Sequence, residues 1–180
     1  MYGLVNRAVE DYVSKTGGRA VWTQIERRLG VERSIFVNHQ QYPDELTHEL
    51  VMIAAEFLDT TPTELLRRLG VHWIEFAAAS GYAELFTLAG PTFVDFLRNL
   101  DSLHARVGAS FPNLSPPSFR VSDVEPEALN LHYHSHRSGL APFVEGLIMG
   151  LAARFQIEVE VIHVATREKC GHDSFLIRYL

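Results

Sequence analysis

The stretch from Pro91 to Pro117 constrains this chain more than any other, because it reads as an apolar helix with one imidazole set into its buried stripe. At helical spacing Phe93, Leu97, Leu100, His104, Val107 and Phe111 share one face, while Asp95, Arg98, Asn99 and Arg106 fall largely on the other. His104 stands where a leucine belongs. A ring nitrogen buried without a partner is costly, which leaves two readings: either the core satisfies both nitrogens, or a group foreign to the chain sits against the ring. The pair Pro116-Pro117 closes the loop behind this helix.

Everything upstream is helical in pattern. Tyr2 to Lys15 carries an apolar stripe closed by Gly17 and Gly18, a second helix runs from about Ala20 to Leu29 and stops at Gly30, and a loop follows that is partly extended at Ser34 to Val37. Tyr42-Pro43-Asp44-Glu45 starts a third helix through Leu58. Thr60-Thr61-Pro62-Thr63-Glu64 combines a threonine cap, an early proline and an acidic first turn, and opens a fourth that continues to about Leu69. There Gly70 is expected to interrupt a pattern that Val71 to Ala79 resumes. Past Pro117 the period changes: Ser118 to Val121 and Ala128 to Arg137 read as strands, Leu140 to Phe155 as a helix, and Glu158 to Ala165 and Ser174 to Tyr179 as strands with Gly171 in the turn. The expected class is α+β, a helical N-terminal half followed by an antiparallel sheet interrupted by one helix.

With 180 residues and 47% hydrophobic content the chain can bury the core of one domain, or of one domain with a small lobe. A formal charge of −6 argues against nucleic acid or an anionic membrane as partner. No apolar run approaches the roughly 20 residues of a membrane span and no secretory signal opens the chain, so the expectation is a soluble, cytoplasmic protein. The single cysteine, Cys170, excludes an intramolecular disulfide and a multi-cysteine metal site.

The strand Ala128 to Arg137 is the second informative stretch. Alternation puts Leu129, Leu131, Tyr133, Ser135 and Arg137 on one face and Asn130, His132, His134 and His136 on the other. A face that begins as core thus ends in a phenol, a hydroxyl and a guanidinium, spaced roughly 6.5 to 7 Å apart, which can hold an anion or a pair of carboxylates. A strand simply running out into solvent would show the same pattern. On the opposite face the spacing His132-x-His134-x-His136 admits a metal, as does the grouping of His163, Cys170 and His172, but neither comes with a complete ligand set. There is no Gly-x-Ser-x-Gly elbow, phosphate loop or His-Glu-x-x-His, and His48-Glu49 and Asp101-x-x-His104 read as ordinary helix neighbours.

Four elements taken together resemble the H-NOX (haem-nitric oxide/oxygen binding) family: Met1-Tyr2-Gly3-Leu4-Val5, Leu100-Asp101-Ser102-Leu103-His104-Ala105-Arg106-Val107, Pro116-Pro117, and Tyr133-x-Ser135-x-Arg137. The resemblance covers essentially the whole chain, in order and at the right separations. It implies a single domain, 1–180, with a helical distal lobe of about 1–60, a proximal lobe of about 61–180 bearing the histidine helix and a roughly four-stranded antiparallel sheet, and haem b between them. Carried over residue by residue, it makes His104 the proximal iron ligand, gives the haem propionates to Tyr133, Ser135 and Arg137, and sets Pro117 against the porphyrin.

On the distal side the resemblance matches Phe143 to the position where oxygen-binding members carry a tyrosine, or Pro142 if a one-residue length variation shifts the match. Neither donates a hydrogen bond, which implies a sensor of nitric oxide and carbon monoxide rather than of oxygen. Trp73 also matches a distal position and does carry a donor, and Val5, Leu147 and Val9 should complete the wall. In the family, nitric oxide weakens the bond to the proximal histidine and the lobes shift, an output read by a histidine kinase, a diguanylate cyclase or a guanylate cyclase. No such segment lies before Leu180, so the expected partner is a separate protein or the remainder of a longer chain. Three alternatives stand beside this non-enzymatic reading: an oxygen sensor acting through Trp73, a haem enzyme of peroxidase or nitric oxide dioxygenase type using His72 or Trp73, and a haem-free interaction module.

Overall fold

The computed structural model describes residues 1–30, 36–109, 111 and 114–180. Helices fill the first half: α1 (Gly3–Thr16), α2 (Arg19–Arg28), α3 (Asp44–Phe57), α4 (Pro62–Ala77), α5 (Ala83–Leu88), α6 (Phe93–Arg98) and α7 (Leu100–Gly108). The second half adds β1 (Ser118–Ser122), β2 (Ala128–His134), α8 (Ala141–Arg154), β3 (Val159–Ala165), a short α9 (Arg167–Cys170) and β4 (Asp173–Tyr179). The four strands form one antiparallel sheet in the order β1-β2-β4-β3. The α+β class is as read from the sequence. The expected extended stretch Ser34 to Val37 lies partly outside the described residues, and Phe36, inside them, is buried.

Three local readings are corrected. The histidine helix is two helices, α6 and α7, broken at Asn99, whose side-chain amide donates to the Ala89 carbonyl at 2.9 Å. An asparagine that bonds backbone outside its own helix competes with the ladder and turns the chain. Gly70 does not interrupt α4. It lies inside a continuous helix, where a Cβ would overlap the Phe143 carbonyl and the Leu147 amide nitrogen of α8, and a Cβ on Gly146 would overlap the Arg67 carbonyl of α4. These two glycines let the helices meet backbone to backbone. The break comes later, at Ser80 and Gly81, where φ of Gly81 is 97°. The third correction is to the strand, which ends at His134 instead of Arg137. The Arg137 N–H donates to Ser135 Oγ at 3.1 Å, so a side-chain turn takes over where the ladder stops.

The capping signal at Thr61 is real: its hydroxyl accepts from the Glu64 N–H at 3.1 Å, with Pro62 in the first turn. Two apolar clusters meet within α4. One gathers Val13, Trp22, Ile25, Phe36 and Leu50 with Leu65 and Leu69, and the other joins Ile74 to Phe96, Leu97, Leu131, Ile148, Phe175 and Ile177. Among the described residues no helix is long and apolar enough to cross a membrane.

The packing of α4 on α8 leaves no room at Gly146. Gly146→Ala is expected to destabilise the protein by about 1–3 kcal/mol through overpacking against backbone that cannot swing aside. Urea unfolding would measure this, and a midpoint equal to that of the unsubstituted protein would show that the helices can separate at little cost.

Candidate haem-binding site

Helix α7 contains no fully buried residue although its inward face is apolar, and the reason is a hollow. Leu100, Leu103, His104 and Val107 line a cavity of about 270 Å³ bounded by α1, α4, α7, the Pro116-Pro117 turn, the inner face of the sheet and α8. Val5, Trp73, His104, Pro117, Tyr133, Ser135, Arg137, Phe143 and Leu147, scattered over the sequence, all stand on this one wall. Pro142 does not, although it neighbours Phe143 in the first turn of α8. Val9 lies instead on a second cavity of about 410 Å³ that shares Val5, Trp73 and Phe143 with the first.

His104 is held from two directions. Its ring stacks on Phe119 of β1, centroids 5.8 Å apart and planes 27° from parallel. Asp101, one turn earlier, ties α7 to the same strand, its two carboxylate oxygens accepting from the Ser118 hydroxyl and the Phe119 N–H at 2.8 Å each. The pair Asp101-x-x-His104 is therefore more than a helix repeat, because the aspartate fixes the strand against which the imidazole stacks. Nδ1 of His104 is buried with no hydrogen-bond partner. Burial pushes the imidazole below its ordinary pKa, with Asp101 pulling weakly the other way, so the ring is neutral and keeps a lone pair at neutral pH. Of the two readings open in the sequence, the protein satisfying the ring itself is not the one observed.

Tyr133 of β2, with Ser135 and Arg137 of the turn that follows it, lines the same cavity. Tyr133 is buried, and burial raises its pKa, opposed by a hydrogen bond with Ser135, so the phenol is neutral and can donate. Arg137 also reaches a partner that sequence reasoning missed. Its Nε donates to Asp44 Oδ2 at 2.8 Å, and the Met1 α-ammonium pairs with the other oxygen of the same carboxylate. Nη1 of Arg137 points toward the Ser115 carbonyl at 3.4 Å. The link ties the first residue of the chain and the start of α3 to the turn after β2. No local signal marks it, since Asp44 reads as an N-terminal helix acid and lies 93 residues from Arg137.

The part of the wall built by α4 and α8 is apolar apart from the indole N–H of Trp73, whose ring packs edge to face on Phe143 at 6.2 Å and against Phe76 at 6.1 Å. His72 does not reach the cavity. It faces α1, with Nε2 2.8 Å from Asp11 Oδ2. Among the described residues lining the main cavity there is no carboxylate, and His104 is its one histidine.

Comparison with known proteins bears on the chain as a whole. The model of the haem-NO-binding family, HNOB, matches residues 2–163. The chain belongs to that family. It is 30% identical over 186 residues to the soluble guanylate cyclase gcy-35 of Caenorhabditis elegans, covering 100% of this chain and 27% of that protein. It is 35% identical over 91 residues to the soluble guanylate cyclase subunit beta-2 of Rattus norvegicus, covering 51% of this chain and 13% of the subunit. The chain thus spans about a quarter or less of the length of these relatives. Its fold matches that of an H-NOX protein from S. oneidensis in the Fe(II)NO state, with TM-score 0.88, 20% identity and coverage of 100% and 99% of the two chains. It also matches a mutant H-NOX from T. Tengcongensis, with TM-score 0.85, 21% identity and coverage of 99% and 97%. Haem-NO-binding domains are sensor domains that bind haem and are related to the soluble guanylate cyclases. The residues of this chain fit that group: a neutral, unsatisfied imidazole on one side of an apolar hollow, and a phenol, a hydroxyl and a guanidinium at its rim.

The Asp44 link predicts a pH dependence. Burial alone would raise this carboxyl's pKa, but hydrogen bonds from the Met1 α-ammonium and Arg137 outweigh it and hold the group below its ordinary range. A depressed folded-state pKa means the stabilisation is complete above the unfolded-state value and disappears as pH falls through the folded-state one. The stability deficit of Asp44→Asn should therefore be largest near neutral pH and shrink on acidification. A deficit independent of pH in urea unfolding would count against the pair.

Proposed function

We propose that this domain senses nitric oxide, and also binds carbon monoxide, at a ferrous haem b ligated by His104. The observation that carries this reading is the unsatisfied imidazole of His104 on the wall of an apolar cavity whose rim is lined by Tyr133, Ser135 and Arg137. Haem bound there would supply an iron with an open coordination position for a diatomic gas. The chain's own residues do the rest. His104 would offer a neutral ring nitrogen, Tyr133, Ser135 and Arg137 would hold the two propionates by charge-assisted hydrogen bonds, and Pro117 would pack against the macrocycle. Val5, Phe143 and Leu147 exclude water on the distal side and offer a ligand no hydrogen bond. Oxygen depends on such a bond far more than nitric oxide does, so this wall discriminates between the two.

We further assign the output to a two-state arrangement in which His104 is either held or released, with a distal lobe of about 1–60 moving against a proximal lobe of about 61–180. Arg137 would report the difference, since it would serve the propionates while bonding Asp44 of α3. The partner is a signalling enzyme: a guanylate cyclase, as the named relatives are, or a histidine kinase or diguanylate cyclase acting in trans, all consistent with a cytoplasmic setting. A haem enzyme is disfavoured by the position of His72, which faces Asp11 and not the cavity.

The test begins with haem content. Purified protein should carry one haem per chain, and His104→Gly should lose it or retain it only with added imidazole; an unchanged ferrous spectrum without imidazole would falsify the assignment. Arg137→Ala should speed haem transfer to an acceptor protein by the equivalent of about 1.5–3 kcal/mol, the range for hydrogen bonds to charged groups. Asp44→Asn should do so much less, because it removes the lobe contact and leaves the guanidinium in place.

The ferrous protein should take up nitric oxide and carbon monoxide but give no stable oxygen spectrum in air. Phe143→Tyr should shift it toward oxygen by about tenfold to a hundredfold, the value of the one hydrogen bond a phenol donates to a strongly polarised acceptor. An oxygen spectrum in the unsubstituted protein that vanishes in Trp73→Phe would reassign selectivity to the indole.

A further inference from the structure

The outer face of the sheet, opposite the cavity, brings together histidines that the sequence places in separate groups. His132 and His134 of β2 share this face, Ser174 of β4 stands opposite His132, and His172 immediately precedes β4. His163 does not join them; its Nε2 meets Asp173 Oδ1 at 2.9 Å. The rings of His134 and His172 stack with centroids 4.4 Å apart, and His132 Nδ1 lies 3.1 Å from His172 Nε2.

The Ser122 hydroxyl donates its one hydrogen to Asp123 Oδ2 at 2.8 Å, so toward His132 Nε2, also at 2.8 Å, it can only accept. With the Ser122 hydroxyl turned to Asp123, the proton of a neutral His132 sits on Nε2 and leaves Nδ1 bare. His172 Nδ1 faces the Cys170 carbonyl at 3.2 Å, and a carbonyl only accepts, so this ring carries its proton on Nδ1 and leaves Nε2 bare. Two lone pairs thus confront each other at 3.1 Å. Ser174 Oγ, 3.0 Å from His132 Nδ1, can donate to that nitrogen but leaves His172 Nε2 unsatisfied. A cation between the two nitrogens would satisfy both lone pairs at once.

We propose that this face is a binding site for a divalent transition-metal ion, zinc foremost, held by His132 Nδ1 and His172 Nε2, with the exposed His134 turning in as third ligand and water as the fourth. Among the described residues no three histidine, cysteine or acidic side chains already surround one point, so binding requires His134 to leave its stack on His172. Two nitrogens at about 2.0–2.1 Å from a tetrahedral ion stand about 3.3–3.4 Å apart, within a few tenths of an ångström of the separation present. Both outer N–H groups are already held by oxygen acceptors, the arrangement that orients imidazoles at metal centres. Two histidines at alternate positions of one strand and a third beside the neighbouring strand also form a tripod suited to an ion that prefers imidazole. A proton between the rings would relieve the same lone pairs, and the experiment separates the two cases.

The haem-loaded protein, freed of stray metal with a chelator, would be titrated with Zn2+ by calorimetry and with Co2+ by visible absorption at neutral pH. One equivalent should bind with the Soret band unmoved. His132→Gln and His172→Gln, with folds checked by circular dichroism, should each weaken binding by ~100-fold or more, since even an outer partner of a metal ligand is worth ~10–100-fold. His163→Gln and Cys170→Ser should bind as before. No saturable uptake would overturn the site and leave a shared proton as the occupant. Unchanged affinity in His172→Gln, or loss of binding in His163→Gln or Cys170→Ser, would overturn it as well by moving the ion to other ligands.

Discussion

The close approach of α4 and α8 underlies the rest of the architecture. Gly70 and Gly146 remove the side chains that would hold the two helices apart, and Arg67 spans the contact, its guanidinium bonding Glu145 of α8 at 2.7 Å and Glu64 of its own helix at 2.8 Å. This contact brings Trp73 and Ile74 from one helix beside Phe143, Val144 and Leu147 from the other, which together roof the main cavity. A Cβ at either glycine would push the roof apart. The selectivity proposed for Phe143 therefore depends on backbone contact one turn away, not on the phenylalanine alone.

The floor is made differently. The apolar stripe of α7 has no protein core to fill it, so Leu100, Leu103, His104 and Val107 stop half-buried around the hollow. A polar tie joins α7 to the sheet: Asp101 bonds the start of β1, and β1 presents Phe119 to the imidazole. Phe119 also contacts Tyr133, with centroids 5.3 Å apart, so His104 and the first of the rim donors rest on one aromatic side chain. A change in the position of His104 would be felt at β2 without any long mechanical path.

Strand β2 serves two surfaces at once because strand side chains alternate. Tyr133 faces inward to the cavity, while His132 and His134 face outward to the proposed metal site. An ion bridging His132 and His172 would clamp β2 to the start of β4 directly behind Tyr133. The two sites are thus separated by the thickness of one strand, yet they use no side chain in common.

The amino-acid sequence by itself determined what depends on near neighbours. The cap at Thr61, the apolar stripes, the change from helical to alternating period after Pro117, the solitary His104 and the three donors ending in Arg137 are all local patterns, and with the family resemblance they named nine residues that meet around one cavity. Tertiary structure decided what depends on residues far apart in the chain. Gly70 reads locally as a helix breaker, but it is a contact point because Gly146 lies opposite it. Asn99 breaks its helix because the Ala89 carbonyl is within reach, and Asp44 becomes part of the site because folding carries Arg137 to it. The histidines regroup for the same reason: the register of β2 against β4 is set by Leu129, Leu131, Phe175 and Ile177 packing on the inner face, and the outer face takes whatever partners that register delivers.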